Sequence, residues 1–569
     1  MKKLIKGCLL SIIISTYSFA QSNNPISIYE GTNIQSIHFV YENQPVDTTL
    51  YTAYTRVIED TFAISTQTQF NSFLTSYNIS KINLLPFVEK ASPLVTTSSQ
   101  NAVELTINVK LIPVTGQDAN KVNVAKDKNL FPVLYNTENV FVTLKSAASE
   151  MVYSNDNAWF SQPAQLTNGN PLAEKPVGDG YTGWLEGFAS AGIYGIAKVI
   201  PKANIHLYGG VNYLVSFSAG NELFTDKSRI YGDIEEAFVG FVGGGRTNND
   251  KAYKYNLCYG RKQFTLGDGW LIVNTSMNGY DRASLQLNPR WAGKELFTAD
   301  IVYDKILVQG FSLRPNELDI LDSKTTIKGI NLQLKNKKNG ILGLSYLNVS
   351  DSNFNYYMPD GTVHKRDGLQ VYNARFFKST GEGGGLFYKT EVGYQRNPNF
   401  DMKALAYYGE LGWSFINSKG APTVSYRYAY FSGDDANTAS YNRWDQLYTG
   451  GNGEQWVQGS NMYKIVQNSN EISHRLQIVY KPLKKTQLVG QFWLFYAAEK
   501  NNIGGNPALS TLQSNFYGTE YNLTFKYFHS SNWYFHLNTA YTLPGGAIKD
   551  NVSDTKNWYC LSVFARYSF

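Results

Sequence analysis

A two-residue period of apolar and polar side chains recurs through most of the chain and continues to its last residue. Tyr559, Leu561, Val563, Ala565, Tyr567 and Phe569 fall on one face, while Cys560, Ser562, Phe564, Arg566 and Ser568 fall on the other. Successive side chains of a strand point to opposite sides, so this text specifies a strand with one apolar and one mostly polar face. The same arithmetic holds upstream. Phe535, Leu537 and Tyr541 alternate with His536, Asn538 and Thr542, and Leu476 and Ile478 with Arg475 and Gln477. Tyr426, Tyr428 and Tyr430 alternate with Ser425, Arg427 and Ala429, Ile330, Leu332 and Leu334 with Asn331, Gln333 and Lys335, and Tyr253, Tyr255 and Leu257 with Lys254 and Asn256.

A soluble β-sandwich also alternates, but two features favour a membrane barrel. The apolar faces are loaded with Tyr, of which the chain has 41, as expected of aromatic girdles at the two lipid–water interfaces. The polar faces carry Lys and Arg as often as Ser and Thr, as expected of a wet bore. Backbone groups facing lipid must all be paired, which demands closure of the sheet. The reading is mainly β: a transmembrane antiparallel barrel of about 16–18 strands over residues 130–569, preceded by a small α+β domain.

The N-terminus reads as an export leader over residues 1–20. Lys2, Lys3 and Lys6 form the basic region, Cys8 to Ile14 the apolar run, and Ser18-Phe19-Ala20 the small-residue cleavage text. No other stretch approaches the length of apolar residues that a membrane helix needs. Export without a helical anchor, together with the strand pattern, places the chain in an outer membrane of Gram-negative type, in contact with its lipid. Residues 26–116 differ in texture. Ile34 to Tyr41 reads as a strand, Thr49 to Thr61 and Gln69 to Tyr77 as helices, and Val103 to Ile112 as an alternating strand. This order resembles a POTRA domain, which implies a periplasmic location and a periplasmic partner protein bound through residues 26–113. A small α+β domain of another type is the competing reading. Gln117 to Lys128 is linker text.

The inferred bore carries Lys254, Lys335, Lys389, Arg427, Arg475, Lys481, Lys526 and Arg566, together with Glu391 and Glu520. A polyanion crossing a low-dielectric tube needs fixed positive charge to offset its desolvation, without binding so tightly that it stalls. Arg also pairs bidentately with carboxylates. Arg427, Arg475 and Arg566 are the expected anion-facing groups, with Lys254, Lys389 and Lys526 in support and Glu520 beside them. The competing reading pairs these cations with Glu391 and Glu520 to stiffen the wall.

Other chemistries find little support. Three Cys and six His without paired spacing exclude a Cys-based zinc protein and leave little for a metal site. Cys258 and Cys560 both lie in strand text, and a bridge between them stays open. A net charge of +6 is too mild for a nucleic-acid binder. No nucleophile elbow, metalloprotease helix or phosphate loop is present, so no enzymatic activity and no cofactor are expected.

Four blocks resemble the alginate export family of outer-membrane channels, in order over residues 180–569. The first is Gly260-Arg261-Lys262-Gln263-Phe264-Thr265-Leu266-Gly267-Asp268-Gly269, followed by Tyr280-Asp281-Arg282. The second is Tyr428 to Asp435, ending in Ser432-Gly433-Asp434-Asp435 and followed by Trp444 to Tyr448. Gly518-Thr519-Glu520-Tyr521-Asn522-Leu523 and Leu543-Pro544-Gly545-Gly546-Ala547 complete the set. The resemblance implies passive passage of an anionic polysaccharide or oligosaccharide. Parity puts Arg261 on the face of Tyr259, so it enters the bore only if a bulge at Gly260 resets the register. Asp434 and Asp435 read as a solvated turn, with Ca²⁺ binding or tuning of selectivity as the alternative. The rival functions are a general or substrate-selective porin, a POTRA-linked barrel for protein translocation or assembly, and a structural adhesin barrel.

Overall fold

The computed structural model describes residues 26–569 apart from 46–47, 65–68, 98–101, 113–130, 201–202, 337–339, 381–383 and 451–455. The expected leader and linker lie outside the described residues.

Eighteen antiparallel strands form a closed barrel, from Val140–Asp156 to Trp558–Ser568. The first and last of these pair with each other, Val563 opposite Val152 and Phe564 opposite Met151. A short strand, Val133–Asn136, extends the seam against Val140–Asp156. Closure leaves no row of unpaired backbone groups facing lipid, the one sheet arrangement a bilayer tolerates. The alternation read from the sequence is the alternation of the wall. On Thr423–Phe431, Val424 and Tyr426 face outward and exposed, while Ser425, Arg427 and Ala429 are buried inside. On Met402–Ser414, Leu405, Tyr407, Leu411 and Trp413 face outward, while Ala404, Ala406 and Tyr408 face inward.

The two mouths differ. At one, the connections are short, such as the two-residue turn Asp304-Lys305 between Glu295–Tyr303 and Ile306–Arg314. At the other most are longer, and two of them, 262–294 and the described residues of 432–470, fold into the bore. Trp270 is 1% exposed and packs on Trp444 and Trp456 of the second loop and on Tyr408 and Phe431 of the wall. Carboxylates on the wall hold these loops. Glu235 accepts the backbone N–H groups of Trp291 and Ala292 at 2.7 and 2.9 Å, and Glu186 accepts that of Leu287. A buried carboxylate is tolerated only when its oxygens are filled in this way.

The N-terminal domain has a three-stranded sheet with Val103–Leu111 in the centre, parallel to Ile34–Glu42 and antiparallel to Val88–Thr97. Two helices, Thr48–Thr61 and Ser72–Ile82, accompany it. The second begins later than the sequence suggests because Asn71 caps it, its side chain accepting from the N–H of Leu74 at 2.8 Å. Val103, Leu105, Ile107, Val109 and Leu111 are all wholly buried. The strand Val88–Thr97 escapes sequence reading because Pro93 interrupts it; proline is confined to edge strands, where this one lies.

This domain is seated in the short-turn mouth. Ile64, Phe73, Leu74 and Tyr77 form one apolar cluster with Phe141, Tyr194, Ile196, Tyr208, Val242 and Cys258 of the barrel. At the rim Asp60 pairs with Arg246 at 2.5 Å and Arg56 with Asp250 at 2.7 Å. Lys81 donates to the carbonyls of Thr137 and Glu138, and Lys335 to that of Ile34 at 3.1 Å. The side-chain amides of Asn33 and Gln69 reach the carbonyls of Gly267 and Thr265, on the inner loop itself. Cys258 and Cys560 are both buried and unbridged.

Candidate functional site

Register alone builds a charged belt inside the wall. Lys389 lies opposite Glu410, Glu410 opposite Arg427, Arg427 opposite Arg475, and Arg475 opposite Trp493, each on the next strand and each pointing inward. Arg475 donates to Glu410 at 2.7 Å. Arg427 has no ion pair among the described residues. Its guanidinium lies 4.4 Å from the ring centre of Trp456 and 5.3 Å from that of Trp493, and it donates to Gln458 at 3.3 Å. Aromatic faces hold a cation without cancelling its charge. The belt thus contains one neutralised pair and one guanidinium whose field is left over.

A cavity of about 1350 Å³ joins the belt to the short-turn mouth. One wall is the domain strand starting at Ile34; the others are inner faces of the barrel from Lys254 and Lys335 round to Gln477, with Asp268 and Trp456 contributed by the inner loops. Eight cationic side chains line it (Arg246, Lys254, Lys305, Lys335, Lys378, Lys389, Arg427 and Arg475) against six acidic ones (Glu59, Asp60, Glu104, Asp268, Asp304 and Glu410). The excess is small, and it is sharpest at the belt, where two Arg and one Lys surround one Glu.

Of the residues singled out from sequence, Arg427, Arg475, Lys254, Lys389 and Lys335 therefore meet in one cavity. The others sit elsewhere. Arg566 is half-buried in the wall beside Phe188, 5.7 Å from its ring, and Lys526 is buried on Phe516–Phe528. Lys481 follows the end of its strand at a short turn. Pairing continues in step through Gly260, opposite Phe238 and Leu296, so no bulge resets the register there. Arg261 instead donates to Asp233 at 3.1 Å. Glu520 is wholly buried and is not offered to a solute: its oxygens accept the N–H groups of Ser460, Asn461 and Met462 and the hydroxyl of Thr542. Glu391 accepts from Asn373 at 2.9 Å inside the wall.

The motif residues shape the inner loops. Gly260 and Gly267 have φ of +135° and +60°, values that suit glycine. Asp268 accepts from the hydroxyl of Tyr408 at 2.9 Å. Asp281 is exposed, while its neighbour Arg282 is buried and donates to the carbonyls of Asn316 and Glu317 at 2.9 and 2.6 Å. A Cβ on Gly433 would lie 2.1 Å from Oδ1 of Asn470. Asp434 accepts from the N–H of Asn442 and the amide of Asn501, and Asp435 closes a local turn by accepting from the N–H of Asn437. Sequence reasoning missed Glu410, Tyr408, Trp456 and Trp493. Parity on Met402–Ser414 puts Tyr408 and Glu410 on the inner face, so both were within reach of the method. Trp456 sits in a loop without periodicity and had no signal.

A sequence profile of the family described as Alginate export matches residues 215–560, more than half of the chain. The chain belongs to the alginate export family. The family match begins within the barrel, so the N-terminal domain lies outside it. The sequence matches no curated protein. Solved structures of similar fold include OpdK of Pseudomonas aeruginosa with vanillate, 11% identical with a TM-score of 0.44, covering 75% of this chain and 98% of that one. Another is OccK5 (OpdH) of Pseudomonas aeruginosa, 8% identical with a TM-score of 0.44 and the same coverage. At such identity the likeness concerns the fold. Family and fold are of channel type, and the barrel is an outer-membrane barrel.

Proposed function

We propose that the protein is a passive outer-membrane channel for an anionic polysaccharide or oligosaccharide, with the belt of Lys389, Arg427 and Arg475 as its anion-facing constriction. The observation that carries this reading is Arg427, a guanidinium held between two Trp rings, without an ion pair among the described residues, at the inner end of a cavity that reaches the short-turn mouth. Such a charge lowers the barrier for a carboxylate, and its aromatic clamp keeps it from collapsing onto a neighbouring acid. Family membership supports the same substrate class. In barrels of this kind short turns face the periplasm, so the N-terminal domain is proposed to lie there, as a POTRA-like module free to meet a periplasmic partner. Conductance of the purified protein in a planar bilayer tests the proposal. Added polyuronate should block the current in the wild type and block it less in Arg427→Ala. Unselective conductance without block would instead make the protein a general porin.

A further inference from the structure

A second, separate pocket of about 300 Å³ lies among the long loops, walled by described residues of 157–180, 432–470 and 497–515 and by Tyr517 of the strand Phe516–Phe528. Its size is at the small end of ligand sites, enough for one compact unit and not for a polymer. Trp159 and Tyr517 supply aromatic wall, Asn168, Gln467 and Asn502 supply amides, and Arg443 supplies charge. No acidic residue lines it.

Arg443 is the anomaly. It is 7% exposed, it donates to Oδ1 of Asn502 at 2.8 Å, and it has no ion pair among the described residues. A guanidinium taken out of water with no carboxylate in ion-pair contact is disfavoured, and the charge of Asp434 reaches it only from a distance, so an anion beside it would be favoured. Asp434 is engaged elsewhere, with Asn442 and Asn501. The frame is fixed by neutral contacts. Asn502 donates to the carbonyl of Leu509 and accepts from Asn470, while Asn506 donates to the carbonyl of Leu166, tying the three loops together.

We propose that this pocket binds a single carboxylated sugar unit, its carboxylate on Arg443, its ring against the aromatic wall and its hydroxyls on the amides. The planar fork of one Arg suits a carboxylate. The other cation of the lining, Lys464, donates to the carbonyl of Ser460, so the pocket lacks the convergent cations that favour phosphate. The choice of a sugar over another small carboxylate rests on the function proposed above; the anion site itself does not.

The test is titration of the full chain in detergent with D-glucuronate, glucose and inorganic phosphate, read by calorimetry and by tryptophan fluorescence. Glucuronate should bind at least tenfold more tightly than glucose or phosphate, and Arg443→Met should lose at least tenfold. Gln467→Ala, on the exposed rim, should weaken binding a few-fold, and it carries the test if Arg443→Met does not fold. Equal binding of glucose, or tighter binding of phosphate, would overturn the proposal. So would wild-type affinity in both variants, or loss of binding in Arg427→Ala, which would place the ligand in the bore. Glucuronate binding without block of conductance by polyuronate would leave this pocket standing and remove the channel reading; the reverse result would do the opposite.

Discussion

Replacing Phe73 by Ala should unseat the N-terminal domain from the barrel mouth while leaving the domain folded. Phe73 is 2% exposed and its ring lies 6.1 Å from Phe141 and 5.9 Å from Tyr194, both on the barrel. The domain's own core is a different cluster, built on Ile58, Phe62, Ile79, Leu105 and their neighbours. Truncating a buried Phe costs about 3–5 kcal/mol. The rim pairs Asp60–Arg246 and Arg56–Asp250 have side chains 27–60% exposed, and pairs of that kind contribute about 0–1 kcal/mol each. The apolar cluster therefore decides docking. A loss of about 3 kcal/mol raises the undocked fraction roughly 100-fold, at about 1.4 kcal/mol per decade. Two assays read it: the rate of proteolysis within residues 26–112 in reconstituted vesicles, and the frequency of large openings in single-channel records. Both should rise in Phe73→Ala and move about fivefold or less in Asp60→Asn, as ~1 kcal/mol allows. If Phe73→Ala behaves as wild type while Asp60→Asn unseats the domain, charge holds the mouth and this reasoning fails.

Arg427→Ala should shift the reversal potential in a salt gradient toward cations and weaken polyuronate block about 10–100-fold, the range expected for losing one charge-assisted contact. Glu520→Ala removes the acceptor for three successive backbone N–H groups, so it should lower the temperature at which the folded band is lost on gels and increase current noise; an unchanged transition would show that loop 432–470 is held by other means. Burial raises the pKa of Glu104, a cavity-lining residue of the domain sheet, above the ordinary carboxylate range. Its contribution to stability is therefore complete below the unfolded pKa and is lost as pH rises through the raised value. Domain proteolysis should increase and anion selectivity fall over that interval, and Glu104→Gln should flatten both curves.

The wall of the barrel was legible because side-chain parity in a strand depends on nothing but position. Tyr426, Arg427 and Tyr428 declare their sides as soon as the strand is recognised, and the cross-strand belt from Lys389 to Arg475 follows once neighbouring strands are aligned. What lay beyond the sequence was everything fixed by contact between distant segments. Nothing near Phe73 announces that it packs on Tyr194, and nothing near Trp456 announces that it returns 4.4 Å from Arg427. Glu520 shows the same boundary from the other side. Its parity is inward, but whether an inward carboxylate meets solute or loop depends on 432–470, which has no period to read. Arg261 was expected in the bore on condition of a bulge at Gly260; the ladder there runs unbroken, and the residue pairs with Asp233 instead.

The seating of the domain also makes the channel lopsided. Its apolar contacts occupy the arc of wall from Phe141 to Cys258, while the open space runs along the arc from Lys254 to Gln477. A traveller through the bore would hug one side throughout and leave the covered arc untouched. Permeation would then be deaf to charge changes on the covered arc and acutely sensitive to those on the bare one, although both arcs look alike to anyone counting alternate residues.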